Sequence, residues 1–373
     1  MSDVVSLFTE LAALPSPPGD ERVVADRVTG YLRDLGLEVS EDDAGARIGS
    51  NAGNLYSRIE PTDGIGTPLF FCAHLDTVPP EGAVEPVLED GVIRNGAGTI
   101  LGADNKAAVA VMLEATRQLL AENRPHGGVE LLFTPKEEVG LIGAAAFDQD
   151  QLVARVGYVY DQAAPIGEVI LGAPFSHSME VRFHGRAAHS GMYPEEGRSA
   201  IAAAAKAIAD FKLGRVDEES TANVGIIHGG MAGNIVPEWC SFLAEARSHD
   251  PQKLADLVRE MLESTAFAAG LEDCQVETEV HKSYSGYRFK RDDFVVRLAR
   301  SALERTGVEP SFTLSGGAAD ANVFNERGLQ CVNLANGMAE IHTPNEHIAV
   351  VDLERMIDVT LALVDVARET DAA

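Results

Sequence analysis

Phe70-Phe71-Cys72-Ala73-His74-Leu75-Asp76-Thr77 is an apolar run that ends on a histidine and an aspartate two positions apart. Alternate side chains of a strand point the same way, so a buried strand here delivers His74 and Asp76 side by side at its end. A metal-binding imidazole is built like this: one ring nitrogen takes the ion, and the other N–H goes to a carboxylate that fixes its tautomer. Taken alone, the pair reads equally well as a core histidine satisfied by a neighbouring acid.

Working outward, further strands are expected at 53–59, 68–75, 129–134, 156–160 and 169–171. Val23, Val24, Val28, Tyr31, Leu32 and Leu35 repeat at helical spacing over 19–36, after a short amphipathic segment (4–13) broken by Pro15, Pro17 and Pro18. An alanine-rich helix is expected over 106–120, with Asp104-Asn105 offering an N-cap. Strands alternating with helices imply an α/β fold around a largely parallel sheet covered on both faces. From about residue 173 the style changes: 176–183, 221–229, 238–248 and 275–282 alternate as half-buried strands, with helices at 198–211 and 251–269. That order describes a four-stranded antiparallel sheet with two helices on one face. The first style then returns, with helices at 292–306, after Gly317 and from Asp352, and a strand at 330–334. The expected division is therefore a catalytic domain in two parts, 1–174 and 285–373, with a second domain, 175–284, inserted between them.

The 373 residues exceed what one hydrophobic core usually serves. A formal net charge of −28 opposes nucleic-acid binding, which needs clustered Lys and Arg. There is no basic region followed by an apolar signal core and no apolar run of membrane-spanning length, so a cytoplasmic protein without membrane partners is expected. Cys72, Cys240, Cys274 and Cys331 lack paired metal spacing and read as reduced, mostly buried thiols.

Four more segments carry acids or histidine at strand ends. Gly102-Ala103-Asp104-Asn105-Lys106 lies at a strand-to-helix turn, where Asp104 is by itself a capping residue. The nearby Gly96, Gly98 and Gly102 have the wrong spacing for a dinucleotide loop. Glu137-Glu138 follow the strand 129–134. Two adjacent glutamates at a buried strand's end repel unless a cation or proton compensates, and their diverging side chains allow one to ligate while the other moves protons. Asp161 ends the strand 156–160, and His342 lies beyond the strand 330–334. Each is weak alone. Together, His74, Asp104, Glu138, Asp161 and His342 fall at the carboxyl ends of core strands or just beyond, where open α/β sheets bind ligands. Two histidines and three carboxylates suit a pair of zinc ions sharing a bridging aspartate.

Ala73-His74-Leu75-Asp76-Thr77-Val78, Gly102-Ala103-Asp104-Asn105-Lys106, Glu137-Glu138-Val139-Gly140 and Ile341-His342-Thr343 resemble, in order, the motifs of the two-metal exopeptidases that include peptidase T, aminoacylase and the glutamate carboxypeptidases. The resemblance covers nearly the full chain and is nearest the peptidase T-like branch. It implies a zinc-exopeptidase-like α/β/α catalytic domain with an inserted α+β lid and dimerisation domain. It also implies two divalent ions, zinc foremost, with cobalt or manganese also accommodated. One ion would take His74, Asp104 and Asp161, the other Asp104, Glu138 and His342. Asp76 would orient His74, and Glu137 would be the general base. In this family an aspartate at the position of Asp161 accompanies aminopeptidases and dipeptidases, and a glutamate accompanies carboxypeptidases and deacylases.

The resemblance extends into the inserted domain. His189, in Arg186-Ala187-Ala188-His189-Ser190-Gly191, is similar to a lid histidine that stabilises the oxyanion in the partner subunit of dimeric members. Asn234 centres a substrate-contacting loop, and Arg247 resembles an arginine that grips a substrate carboxylate. Without the family, these read as a surface histidine, a turn residue and a solvated strand-end charge. Ser315-Gly316-Gly317-Ala318-Ala319-Asp320 departs slightly from the family's glycine-glycine-threonine-aspartate form. The expected activity is removal of the N-terminal residue from short peptides, in a possible homodimer formed through the lid. A deacylase or carboxypeptidase acting on N-acylated amino acids with the same metals is the alternative. A binding protein descended from such enzymes would be expected to lack a ligand or the base, and none is missing.

Overall fold

The computed structural model describes residues 3–370. Two compact units emerge: one runs to Gly172 and resumes at Arg288, and the other is Ala173–Tyr287.

The first unit is built on a mixed sheet. Its central order is Leu55–Ile59, Val129–Thr134, Leu69–His74, Val156–Gln162, Gln330–Ala335 and Glu168–Ala173. Leu69–His74 pairs in parallel with both neighbours, and Gln330–Ala335 pairs in parallel with Val156–Gln162. The flanking strands Leu55–Ile59 and Glu168–Ala173 run antiparallel. Every residue of Leu69–His74 and Val129–Thr134 is buried, as expected of strands covered on both faces. The helix Ala103–Ala121 is buried almost continuously from Ala103 to Thr116, because its alanines and valines leave no polar face. It packs with Asp3–Ala13, Phe294–Arg305 and Val350–Glu369 into one hydrophobic core. With four strands parallel, their carboxyl ends share one edge of the sheet. Among the described residues no helix is long and apolar enough to cross a membrane.

The inserted unit has the expected strands Phe175–His184, Ser220–Gly229, Trp239–Ser248 and Gln275–Tyr284, all antiparallel. It has five strands rather than four: Gly214–Arg215 pairs with Thr221 and Ala222 at the edge. Two exposed residues with Gly214 at positive φ carry no alternation, which is why the sequence does not announce them. The helices Ala200–Asp210 and Pro251–Leu271 are capped by Ser199 and Asp250, whose side chains accept amide N–H bonds from the first turn. Both bury their apolar sides with Met179, Val181, Phe183, Phe242 and Ala244 of the sheet.

Candidate metal centre at the sheet edge

His74 ends its strand fully buried, with Nε2 3.1 Å from Asp104 Oδ1 and 3.8 Å from Asp161 Oδ1. Its Nδ1 lies 3.0 Å from the Asp76 carbonyl oxygen and 3.4 Å from Asp76 Oδ1. This places the Nδ1 proton between two acceptors of one residue, a tautomer assigned from the hydrogen-bond geometry. The carboxylate of Asp76 is used mainly elsewhere: Oδ1 accepts from the Glu137 N–H at 3.0 Å and Oδ2 from the Glu138 N–H at 3.1 Å. Asp76 therefore fixes the loop of the two glutamates as well as the histidine.

Asp104 corrects the N-cap expectation. Gly102, in the left-handed region, is the N-cap, and no side chain caps this helix. Asp104 and Asn105 are joined by a cis peptide and have non-helical backbone angles, and the Asp104 side chain reaches His74 and His342 instead of capping. Its Oδ2 lies 3.3 Å from His342 Nε2, opposite the oxygen that meets His74. His342 Nε2 is also 3.1 Å from Glu138 Oε1. His342 and Lys136, which precedes Glu137, both adopt positive φ, a sparsely populated conformation for residues with side chains and one that clusters at functional sites. The Glu137-Glu138 loop sits close over Gly143, where a Cβ would come within 2.0 Å of the Pro135 carbonyl oxygen, so only glycine fits.

Asp161 is held through its backbone by Asn333 of the next strand. Asn333 Oδ1 accepts its N–H at 2.9 Å, and Asn333 Nδ2 donates to its carbonyl at 2.8 Å. Asn333 carries no motif. The same is true of Ser16, whose Oγ donates to the Leu75 carbonyl at 2.8 Å and whose carbonyl accepts from Thr77 N at 3.0 Å. Glu21 accepts from Lys136 N at 3.2 Å, and Glu346 accepts from three amides before and at Asp104. The stretch from the proline break at Pro15, Pro17 and Pro18 to Glu21, which the spacing places in the helix 19–36 but which precedes its observed start at Arg22, thus braces two ligand-bearing loops. Only its proline and glycine content signalled it.

The electrostatics are those of a cation site. Burial, and next the Asp104 carboxylate, push Asp161 up to about 8. Burial and the nearby Asp161 raise Glu137 well above the usual carboxylate range. Hydrogen bonds to Asp104 and Glu138 raise His342 to about 10. Burial disfavours the charged form of His74, but its bonds to Asp104, Asp161 and Asp76 outweigh that and raise it. Burial works against the Asp104 anion, yet the two imidazoles hold its carboxyl below the ordinary value. Acids kept protonated beside charged imidazoles are what converging carboxylates do when protons must replace cations. The ligand atoms of His74, Asp104 and Glu138 lie within 4.8 Å of one another, as do those of His74, Glu137 and Asp161. Imidazole nitrogens with carboxylate oxygens are a donor set for zinc and for other divalent first-row metals. The residues present fit such ions.

In the inserted unit, His189 is exposed, and its Nδ1 accepts from the N–H groups of Gly191 and Met192, both at 3.2 Å. Ser190 N donates to the Asn234 carbonyl at 3.1 Å, which brings the His189 and Asn234 segments together. Arg247 stands apart from them, near the other end of the strand Trp239–Ser248, paired with Glu245 at 2.9 Å.

Residues 70–366 match the profile of Peptidase family M20/M25/M40. The chain belongs to this family. The crystal structure of aminopeptidase PepT from Bacillus cereus ATCC 10987 superposes with a TM-score of 0.89 at 40% identity, over 98% of both chains. A tripeptidase from Staphylococcus aureus gives 0.94 at 35% identity, again over 98% of both. Peptidase T of Escherichia fergusonii is 27% identical over 96% of this chain and 85% of its own length. The protein is thus a peptidase T-like M20 metallopeptidase, with the α/β catalytic unit and separate antiparallel unit that the family resemblance implies.

Proposed function

We propose that this metallopeptidase is an aminopeptidase that removes the N-terminal residue of short peptides, tripeptides above all, with two divalent ions, zinc in the first place. The observation that carries the reading is Asp104 presenting one oxygen to His74 and the other to His342. That two-sided geometry favours dividing the ligands into His74, Asp104 and Asp161 for one ion and Asp104, Glu138 and His342 for the other. The grouping of Glu137 with His74 and Asp161 is then the proximity of a base to the site rather than a ligand set.

When bound, the ions acidify a water and polarise the scissile carbonyl. Asp76, by binding the amides of Glu137 and Glu138, sets Glu138 toward His342 and leaves Glu137 beside His74 and Asp161. Glu137 takes the proton of the attacking water on its carboxylate and returns it to the leaving amine nitrogen. His189 donates to the developing oxyanion, Asn234 contacts substrate, and Arg247 grips the substrate carboxylate. The aspartate at position 161 and the aminopeptidase and tripeptidase relatives at 40% and 35% identity support the aminopeptidase reading.

Trp239 and Arg247 are eight steps apart on one strand, about 26 Å at ~3.3 Å per residue, and the His189–Asn234 pair lies at or beyond the Trp239 end. An extended tripeptide spans only about 10 Å. If both ends of this unit serve one substrate, one of them comes from a second copy, which supports a homodimer. The edge strand Ser220–Gly229 is suited to that contact. Its pairing with Gly214–Arg215 covers only Thr221 and Ala222, and Ile226 and Ile227 are about half exposed.

The test is a hydrolysis screen of di-, tri- and tetrapeptides with free and blocked amino termini, with and without chelator. Free-amine tripeptides should lead. Turnover of N-acetylated amino acids in preference would place the chain among the deacylases, and chelator-insensitive turnover would remove the metal reading altogether.

A further inference from the structure

Glu346 lies four residues after His342 and is 2% exposed. Its carboxylate is spent on backbone: Oε2 accepts from Leu101 N at 2.7 Å and Gly102 N at 2.8 Å, and Oε1 from Asp104 N at 3.0 Å. The next residues, His347–Ala349, pair antiparallel with Val92–Asn95. Asn95 Nδ2 in turn donates to the carbonyls of Thr99, at 3.2 Å, and Ile100, at 2.9 Å. The loop that delivers Asp104 is therefore bound at both ends to the segment that delivers His342. A buried carboxylate costs desolvation energy that a hydrophobic plug would avoid, and three amides aimed at one carboxylate fit only an anion there.

We propose that Glu346 is a positioning residue. It fixes the Asp104 backbone against the His342 segment, so that the two oxygens of Asp104 face the two histidines at 3.1 and 3.3 Å. The proposal rests on the two-metal reading. Loss of the clamp lets the bridging carboxylate rotate or withdraw, which weakens binding of the ions themselves. Glutamine cannot replace it, because its NH2 group would face an amide N–H.

Glu130 supplies the control. It is 1% exposed and also accepts backbone amides, Val153 at 3.0 Å and Ala154 at 2.7 Å, but it lies near the start of its strand, four residues from the end where the ligands sit. Zn(II) and Co(II) would be titrated into metal-free wild type, E346Q and E130Q against a competing chelator. The Co(II) absorption spectrum and far-UV circular dichroism would be recorded for each. The expected result is a wild type that binds two ions, E346Q with native circular dichroism, an altered Co(II) spectrum and roughly 10–100-fold weaker binding of at least one ion, and E130Q with the wild-type spectrum and affinity. If E346Q does not fold, E346D, which keeps the charge but retracts it by about one C–C bond, ~1.5 Å, should show the same change to a smaller extent. Wild-type affinity and spectrum in whichever of these folds, or equal losses in E346Q and E130Q, would overturn the positioning role. A wild type that binds no metal would instead overturn the two-metal reading beneath it.

Discussion

Replacing Asp76 by asparagine tests whether this residue acts as a loop clamp or only as a partner of His74. Asp76 is fully buried and accepts two amide bonds, from Glu137 and Glu138. Bonds to a charged group contribute ~1.5–3 kcal/mol each, and a buried donor left unmatched costs ~1–3 kcal/mol. Asparagine keeps one acceptor oxygen, so one amide retains a weaker neutral bond and the other meets an NH2 group. Burial of Glu21 and Asp320 is aggravated by the Asp76 charge, so its removal relieves some repulsion. The balance is a net loss of about 2–4 kcal/mol in the metal-free protein, within what a domain stable by ~5–15 kcal/mol survives. Because both affected amides belong to the ligand loop, metal affinity should also fall about 10–100-fold. Urea unfolding of the metal-free forms, followed by circular dichroism, reads the first quantity, and chelator competition reads the second. If metal affinity falls while metal-free stability stays within about 0.5 kcal/mol of wild type, Asp76 acts through the His74 ring alone and the clamp argument fails.

Glu137→Ala should keep both ions by elemental analysis while kcat drops at least ~10²-fold; near-normal turnover would remove Glu137 as the base. His189→Ala should cost on the order of 10²-fold in kcat with circular dichroism unchanged, and a full-rate variant would end its oxyanion role. Metal uptake should release protons, because Asp161 (about 8), His342 (about 10) and the raised Glu137 and His74 hold them in the metal-free site; calorimetry in buffers of different ionisation enthalpy reads this. For stability the signs agree: Asp161, raised from 3.8, and His342, raised from 6.5, both favour the metal-free fold below their unfolded values and lose that contribution as pH climbs to about 8 and about 10. The metal-free melting temperature should therefore fall from pH 6 to 9, and the loaded enzyme should not follow it. Ile226→Lys with Ile227→Lys should shift a dimer to monomer by light scattering and lower activity with it; an active monomer would detach catalysis from the second copy.

The ligand-bearing strand ends were legible because a buried strand announces itself as an unbroken apolar run, and His74, Glu138 and Asp161 are the polar residues that interrupt or follow such runs. Asp104 was legible as chemistry but not as geometry. Its place before an alanine-rich helix carries the pattern of a cap, and nothing in the local sequence says that the backbone turns away from helical angles there. Glu346, Asn333 and Glu21 were not legible as parts of the site. A side chain that binds backbone amides leaves no periodicity, and the amides held by Glu346 lie 242 to 245 residues away. The extra strand Gly214–Arg215 escaped for a related reason, since two exposed residues cannot alternate.

The acceptors around the ligands share one role. His74 is reached through the Asp76 carbonyl, Glu137 and Glu138 through the Asp76 carboxylate, Asp161 through Asn333, and Asp104 through Glu346. Except at His74, where the ring Nδ1 is the group bound, a buried acceptor binds the ligand-bearing segment by its backbone, which leaves the ligating side chain free to point into the site. Bonds of this kind do not depend on the ions, so they hold the segments in place while the carboxylates repel. Protons on Asp161, Glu137 and the histidines then offset that repulsion until cations replace them. Preorganisation and charge frustration are thus carried by different atoms of the same residues, backbone for the first and side chain for the second. The consequence is that removing a clamp and removing a ligand should fail differently: a clamp variant loses metal affinity together with metal-free stability at every pH, whereas His342→Ala should lose affinity and, of the metal-free stability, only the part that normally disappears as pH climbs to about 10.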